Sequence, residues 1–107
     1  MTFDDYTAAA RKTSRYGGTP LERLSYVSIA FGGEAGEYLN AYKKYLRGAP
    51  DRHNLPDGEI RTLMLLELGD ALWYLSQVAS ELGSTLDIVA SLNLAKLEAR
   101  YQAIKGE

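Results

Sequence analysis

The sequence predicts an all-α protein whose four helices pack as a bundle in each subunit. Two long segments place apolar residues three and four positions apart, which is the spacing of one helix face. Glycine and proline residues divide the chain into four stretches of helical length, and no stretch alternates apolar and polar residues as a half-buried strand does. Because 107 residues can form one modest core, we expect a single domain over residues 1–107.

The first two helices can be placed from their end signals. Helix one is expected over about residues 2–14, before a glycine pair. Thr19 is a suitable N-cap for helix two, and Pro20 suits its first turn, where the missing amide proton leaves no hydrogen bond unmade. This second helix is expected to continue to about Arg47, because glycine and proline follow there.

The last two helices follow a turn-rich loop. Helix three is expected over about residues 57–82, and it ends before Gly83. Ser84, with Asp87 three residues later, resembles an acidic capping box and predicts the start of helix four. That helix is expected to continue to about Ile104.

The composition argues against several classes of function, namely nucleic-acid binding, membrane insertion and cysteine chemistry. A net charge of −2 gives no basic surface of the kind that nucleic-acid-binding domains show. The chain has no apolar run near the roughly twenty residues that span a bilayer and no signal-peptide pattern at its start, so we expect a cytoplasmic protein without a membrane partner. The absence of cysteine excludes disulfides, zinc–thiolate sites and a cysteine nucleophile.

Four carboxylates form two pairs with matching spacing, Glu34 with Glu37 and Glu67 with Asp70. Residues three apart lie on one face of a helix, so each pair can bind one ligand. One such pair alone is common on a solvated helix face. Here both pairs point the way that the apolar residues of their helices point, with Asp70 at the edge of that arc. Inward carboxylates that repel one another need a positive partner, so the pattern predicts a bound cation.

The available ligand types favour magnesium. Carboxylate oxygens suit Mg²⁺ or Mn²⁺ better than zinc, and the single histidine, His53, lies outside the predicted helices. A magnesium site of this kind keeps several waters and is completed by substrate phosphates. The four carboxylates therefore predict a phosphate-bearing ligand.

A polar stripe on helix four could supply the complementary charge. Asn93, Lys96 and Arg100 follow one another along one side of this helix. Beside an acidic metal cluster, such cations would bind the phosphate oxygens that the metal leaves free. The same cations also suit the C-terminal part of a helix through its dipole, so both interpretations stay open.

Three glycines interrupt the middle of helix two. Gly32, Gly33 and Gly36 each cost on the order of 1 kcal/mol relative to alanine in a helix interior. We expect either a close helix crossing or a local bend at the site.

Three runs of this chain together resemble a known enzyme family. The runs are GGEAGEYLNAYKKYLRG at 32–48, LLELGDALWYL at 65–75 and NLAKLEARY at 93–101. Their order, ExxE, then ExxD, then a downstream Asn and Lys, resembles the MazG-like all-α nucleoside triphosphate pyrophosphohydrolases. The resemblance implies a MazG-like bundle that forms a dimer or tetramer. It also implies Mg²⁺-dependent cleavage between the α and β phosphates of a (d)NTP, possibly a non-standard one.

The resemblance also implies roles for individual residues. The metal ligands and catalytic acids would be Glu34, Glu37, Glu67 and Asp70, with Glu37 orienting or deprotonating the attacking water. The substrate-binding residues would be Asn93, Lys96, Arg100, Tyr74 and Lys44. Many MazG-like chains double the first acid of each motif, whereas here Gly33 and Leu66 occupy those positions. The nucleobase cannot be assigned from the acidic motifs.

The aromatic residues near the motifs are less specific. Tyr74 lies one helical turn beyond Asp70 and would pack on the nucleoside, while Trp73 points about 100° away and is expected in the core or an interface. Tyr38 and Tyr42 could line the pocket, although aromatic residues at helical spacing usually belong to a core.

Two rival functions use the same features. The chain could be a helical nucleotide sensor without turnover, or an interaction module whose acidic clusters bind a basic partner. A di-iron carboxylate bundle is disfavoured, because the sequence has no Glu-x-x-His.

Overall fold

Four α-helices make up the regular structure of the computed structural model, which describes residues 1–48 and 54–106. They are α1 (Phe3–Arg11), α2 (Pro20–Gly48), α3 (Gly58–Glu81) and α4 (Leu86–Lys105). No strand occurs in these ranges, so the all-α prediction is confirmed. His53, which was expected outside the helices, is not among the described residues. None of the helices in the described part of the chain is long and apolar enough to cross a bilayer.

Reciprocal hydrogen bonds mark the starts of the first two helices. Thr2 caps α1, since its hydroxyl accepts from the Asp5 amide at 3.0 Å and the Asp5 carboxylate accepts from the Thr2 amide at 3.1 Å. Thr19 and Glu22 form the same arrangement before α2, at 3.2 and 3.3 Å. The prediction of Thr19 as the N-cap is therefore confirmed.

Two predicted helix ends are wrong. Helix α1 ends at Arg11 rather than near Ser14, because the following amides turn back to carbonyls three residues earlier, as Thr13 does to Ala10 at 3.0 Å. Helix α4 is capped by Thr85, whose hydroxyl accepts from the Ile88 amide at 3.2 Å.

Ser84 belongs instead to the end of α3. Gly83 adopts a positive φ of 72°, and the Ser84 amide then donates to the Ala79 carbonyl at 2.9 Å. This is the hydrogen bond that closes a helix end through a left-handed glycine. It commits Ser84 to α3, so the cap of α4 falls one residue later.

Helices α2 and α3 pair side by side in antiparallel orientation. Near the start of α2, Arg23 reaches Glu81 near the end of α3, with 3.1 Å between Nε and Oε2. Further along α2, the rings of Tyr26 and Tyr74 lie 6.4 Å apart. Still further, Tyr38 borders the same groove as residues 64–68. This progression fixes which carboxylates face one another.

The remaining two helices, α1 and α4, cover the antiparallel α2–α3 hairpin incompletely. Helix α1 lies against α3, and α4 approaches α1 and α3 but not α2. The radius of gyration is 17.4 Å, whereas a compact chain of about 100 residues has about 13 Å. The expected bundle is therefore not closed within one chain. Large apolar residues stay exposed along α4, namely Ile88, Val89, Leu92, Leu94, Leu97, Tyr101 and Ile104.

The three glycines of α2 do not mark a helix crossing within the chain. A Cβ atom placed on Gly32, Gly33 or Gly36 would meet no described atom within 4 Å. All three are exposed and lie inside an uninterrupted helix. The expected close packing is therefore wrong for the single chain.

The assignment of the α4 cap can be tested by a pair of substitutions. Thr85→Ala should lower the free energy of unfolding by about 1 kcal/mol, because the Ile88 amide loses its acceptor. Ser84→Ala should change it by less than about 0.5 kcal/mol. Urea unfolding of both variants measures the difference, and an equal or reversed ranking would contradict the assignment.

Candidate functional site

The hairpin brings three of the four predicted metal ligands together. Carboxylate oxygens of Glu34, Glu67 and Asp70 all lie within 4.8 Å of one another. Glu34 and Glu67 are partly buried, whereas Asp70 is exposed at the rim. We call these three residues the acidic cluster. Glu37 is exposed on α2 and lies outside it.

The charges of the cluster act on Glu34 most strongly. Partial burial raises the pKa of Glu34, and the negative charges of Asp70, Glu67 and Glu37 raise it further. The site therefore concentrates negative charge where solvent cannot fully screen it, which is the electrostatic setting that a cation would relieve.

The pKa of Tyr6, on α1, is also affected by a charge of the acidic cluster. Burial raises the pKa of Tyr6, and the negative charge of Asp70 adds to that effect. Helix α1 therefore approaches the rim of the cluster, although Tyr6 had no predicted role in the site.

A cleft of about 350 Å³ opens beside the acidic cluster. It is lined by Thr13, Glu34, Asp70, Trp73 and Tyr74. Tyr74 therefore lines the same cleft as Glu34 and Asp70. Its pKa is raised by a hydrogen bond with Tyr26, then by burial and by the nearby negative charges of the site.

Trp73 lines the cleft, and its predicted place away from the site is wrong. The indole Nε1 donates to Thr13 Oγ1 at 2.9 Å, and the Thr13 hydroxyl donates to the Ala10 carbonyl at 2.7 Å. These bonds pull the ring toward the turn after α1. Thr13 was not predicted as a cleft residue, because this segment was expected to be part of the first helix.

Four aromatic rings pack together beside the cleft, and two of them, Trp73 and Tyr74, line it. Tyr16 stacks on Tyr26 with 5.6 Å between ring centroids, and Trp73 meets Tyr74 edge to face at 4.9 Å. Tyr16 also meets Trp73 edge to face at 6.4 Å. We call these four rings the aromatic wall. Aromatic pairs at such distances are mutually stabilising, so the wall is a preorganised apolar surface.

Buried hydrogen bonds hold the base of this wall. The Tyr16 hydroxyl lies 3.1 Å from both Gln77 Oε1 and Glu81 Oε1, and its single proton is shared between these two acceptors. Burial raises the pKa of Tyr16, and the hydrogen bond to Glu81 raises it further. Arg23 Nε donates to the other Glu81 oxygen at 3.1 Å, so the connection between α1 and α2 is fastened to α3.

The other predicted pocket residues lie elsewhere. Tyr38 borders a separate apolar groove, and Tyr42 stacks on Tyr45 with 6.4 Å between centroids. Lys44 is exposed on α2 and does not line the cleft.

The predicted cationic stripe does not reach the acidic cluster within one chain. Asn93, Lys96 and Arg100 are all exposed on α4, and α4 does not approach α2. Within the described ranges, none of the three has a hydrogen-bond or ion-pair partner. Any role for them at this site therefore requires another copy of the chain or a movement of α4.

Comparison with known proteins finds one relative of nearly the same length. The chain is 40% identical over 104 residues to the "Gene 37 protein" of Mycobacterium phage L5, and the match spans 94% of this chain and 89% of the phage protein. No protein-family model matches the chain, and no solved structure matches it.

The raised pKa of Glu34 predicts a pH-dependent stability in chelator. A carboxyl whose folded pKa lies above its unfolded value contributes stability at low pH, and this contribution is lost as the pH rises through the folded pKa. At pH 7 Glu34 is therefore a charged, repelled group. Glu34→Gln should raise the melting temperature at pH 7 by a few degrees and should leave it unchanged well below 4.5, the ordinary pKa of this side chain.

Thermal unfolding between pH 3.5 and pH 8 in EDTA measures this effect. The matched control is Glu37→Gln, one turn away and exposed, which should give a smaller increase. A Glu34→Gln variant that is less stable at pH 7 than at low pH, relative to wild type, would contradict the electrostatic account.

Proposed function

The chain belongs to the family of the Gene 37 protein of Mycobacterium phage L5, and we propose that it is a Mg²⁺-dependent nucleoside triphosphate pyrophosphohydrolase with a MazG-like fold. It would convert (d)NTPs, including non-standard ones, to the monophosphate and pyrophosphate in the cytoplasm. The observation that carries the proposal is the convergence of Glu34, Glu67 and Asp70 beside an aromatic cleft.

The spacing of the carboxylates suits Mg²⁺. Each Mg²⁺–oxygen bond is about 2.0–2.1 Å, so two oxygens on opposite sides of one ion lie about 4.2 Å apart. The separations within 4.8 Å in the acidic cluster are close to this limit. Small side-chain adjustments would let Glu34, Glu67 and Asp70 hold one ion, and a second ion could use the remaining oxygens.

The chemistry of the reaction is mainly positioning and charge neutralisation. When bound, Mg²⁺ would neutralise charge on the phosphate oxygens and make a coordinated water more acidic. Glu37, which lies outside the acidic cluster, would orient or deprotonate the attacking water. The water oxygen would form a bond to the α-phosphorus while Glu37 takes up the water proton, the bond from that phosphorus to the bridging oxygen would break, and pyrophosphate would leave.

The aromatic wall supplies a surface for the nucleoside. Trp73 and Tyr74 border the same cleft as Glu34 and Asp70, so a nucleotide whose phosphates approach the carboxylates would place its base beside the rings. Stacking on such a ring tolerates any base, since every base has a π-face. The wall therefore accounts for nucleotide binding without selecting one base.

The cations of α4 would reach the site in a homodimer or homotetramer. Helix α4 exposes apolar side chains along most of its length, and a second copy would cover them. In such an assembly, Asn93, Lys96 and Arg100 of one copy could face the acidic cluster of another. Lys44 would serve the outer phosphates from the same chain.

Pyrophosphate release from a panel of canonical and modified (d)NTPs tests the activity. Glu67→Gln should lower the rate by more than about 100-fold, because it removes a metal ligand while preserving shape. Glu59→Gln, on an exposed position of the same helix, is the matched control and should retain activity. Mn²⁺ or Mg²⁺ should also raise the melting temperature of wild type but not of Glu67→Gln.

The same experiment separates the alternatives. Nucleotide-dependent stabilisation without turnover would favour a non-catalytic nucleotide sensor. If neither metal nor nucleotide stabilises the protein, the interaction module becomes the better account, and the exposed apolar residues of α4 would be its binding surface.

Mixing two inactive variants tests whether α4 acts across subunits. A Lys96→Ala, Arg100→Ala double variant and Glu67→Gln should each be inactive alone. If the site combines two chains, co-refolded equimolar mixtures of a dimer should recover about a quarter of wild-type activity, because half of the dimers are mixed and each has one intact site. No recovery would show that α4 serves its own chain or none.

A further inference from the structure

We propose that a cavity at the α1–α2 connection is a second ligand site, which binds a phosphate group separately from the acidic cleft. The cavity has a volume of about 430 Å³. Its lining combines residues of α1, the connection, α2 and α3, chiefly Arg11, Ser14, Tyr16, Arg23, Ser80 and Glu81. Apart from Tyr16, which belongs to the aromatic wall, none of these residues has a role in the proposed hydrolysis, and this inference does not depend on that function.

Among the described residues that line the cavity, Glu81 is the only carboxylate, and its charge is already neutralised. Glu81 accepts hydrogen bonds from the Tyr16 hydroxyl and from Arg23 Nε, each at 3.1 Å, on its two different oxygens. The Glu81 side chain is only 10% exposed. It therefore holds Arg23 in place and presents little free negative charge to a ligand.

Hydrogen-bond donors exceed acceptors in this cavity. A guanidinium has five N–H donors, and Arg23 uses one toward Glu81 and one toward the Gly18 carbonyl at 2.6 Å, which leaves three. The Arg11 guanidinium has no hydrogen-bond or ion-pair partner in residues 1–48 or 54–106. The hydroxyl of Ser80 adds a further donor.

The net charge and donor geometry identify the ligand class. Two guanidinium groups against one carboxylate leave one uncompensated positive charge at the cavity. Arginine pairs preferentially with the oxygens of phosphate or carboxylate through two parallel hydrogen bonds. Several donors around a space of this size suit the tetrahedral oxygens of a phosphate group best.

The cavity is distinct from the acidic cleft. The neighbouring residues Thr13 and Ser14 line different spaces, the first the cleft and the second the cavity. The edge-to-face pair of Tyr16 and Trp73 stands between them. Along α3, Asp70 and Ser80 are separated by about 15 Å of helical rise. A phosphate held by Arg11 and Arg23 would therefore lie away from the carboxylates.

The experiment titrates ¹⁵N-labelled full-length protein in EDTA, first with inorganic phosphate and then with a nucleoside monophosphate, and follows the amide resonances. The amides of Ser14 and Gly83 should shift, while those of Glu34 and Glu67 should not. Arg11→Ala should weaken binding about tenfold or more, because it removes a charged hydrogen-bond partner. The matched control is Arg15→Ala, since Arg15 lies outside the cavity and donates to the carbonyls of Lys12 and Ser14.

Each result decides the question. Equal affinity for the two probes would identify a free phosphate group as the ligand, and tighter binding of the monophosphate that Arg11→Ala abolishes would identify a nucleotide. The absence of phosphate binding, shifts confined to the acidic cleft, or an equal loss in Arg11→Ala and Arg15→Ala would overturn the proposal. Arg11 is exposed, so its replacement should leave the fold intact, as amide dispersion will show.

Discussion

The antiparallel register of α2 on α3 is the constraint on which the rest of the structure depends. It sets Glu34 against Glu67 and Asp70, and it sets Arg23 against Glu81. A slip of one helical turn would move either helix by about 5.4 Å and separate both sets. The ion pair between Arg23 and Glu81, together with the Tyr16 hydrogen bonds, holds one end of the hairpin in that register.

The same register concentrates like charges, which opposes folding. Burial and three neighbouring carboxylates raise the pKa of Glu34, so the hairpin must hold together against its own acidic cluster. Ionisable groups with perturbed pKa values cluster in the clefts of functional sites, and Glu34 is a group of this kind. The aromatic wall lies next to the acidic cluster, and the apolar contacts between its rings offset the repulsion between the carboxylates.

Local rules could predict the four helices and the acidic pairs, because caps, glycines and apolar spacing act within a few residues. Thr19 is an example, since its partner Glu22 is three positions away. Trp73 could not be placed this way, because its partner Thr13 is sixty positions distant. The exposed position of α4 could not be predicted either, because helical spacing identifies the apolar face of a helix but not the element that packs against it.

Helix α4 connects the fold to the proposed assembly. Most of the stability of a helix in a protein comes from the packing of its apolar face. In one chain α4 buries only Leu86, at its start, while Leu92, Leu94 and Ile104 are each more than 60% exposed. Packing against another copy would bury these side chains. It would also bring Lys96 and Arg100 close to that copy. Stability and substrate binding would then share one interface, which is why we infer that they arise together.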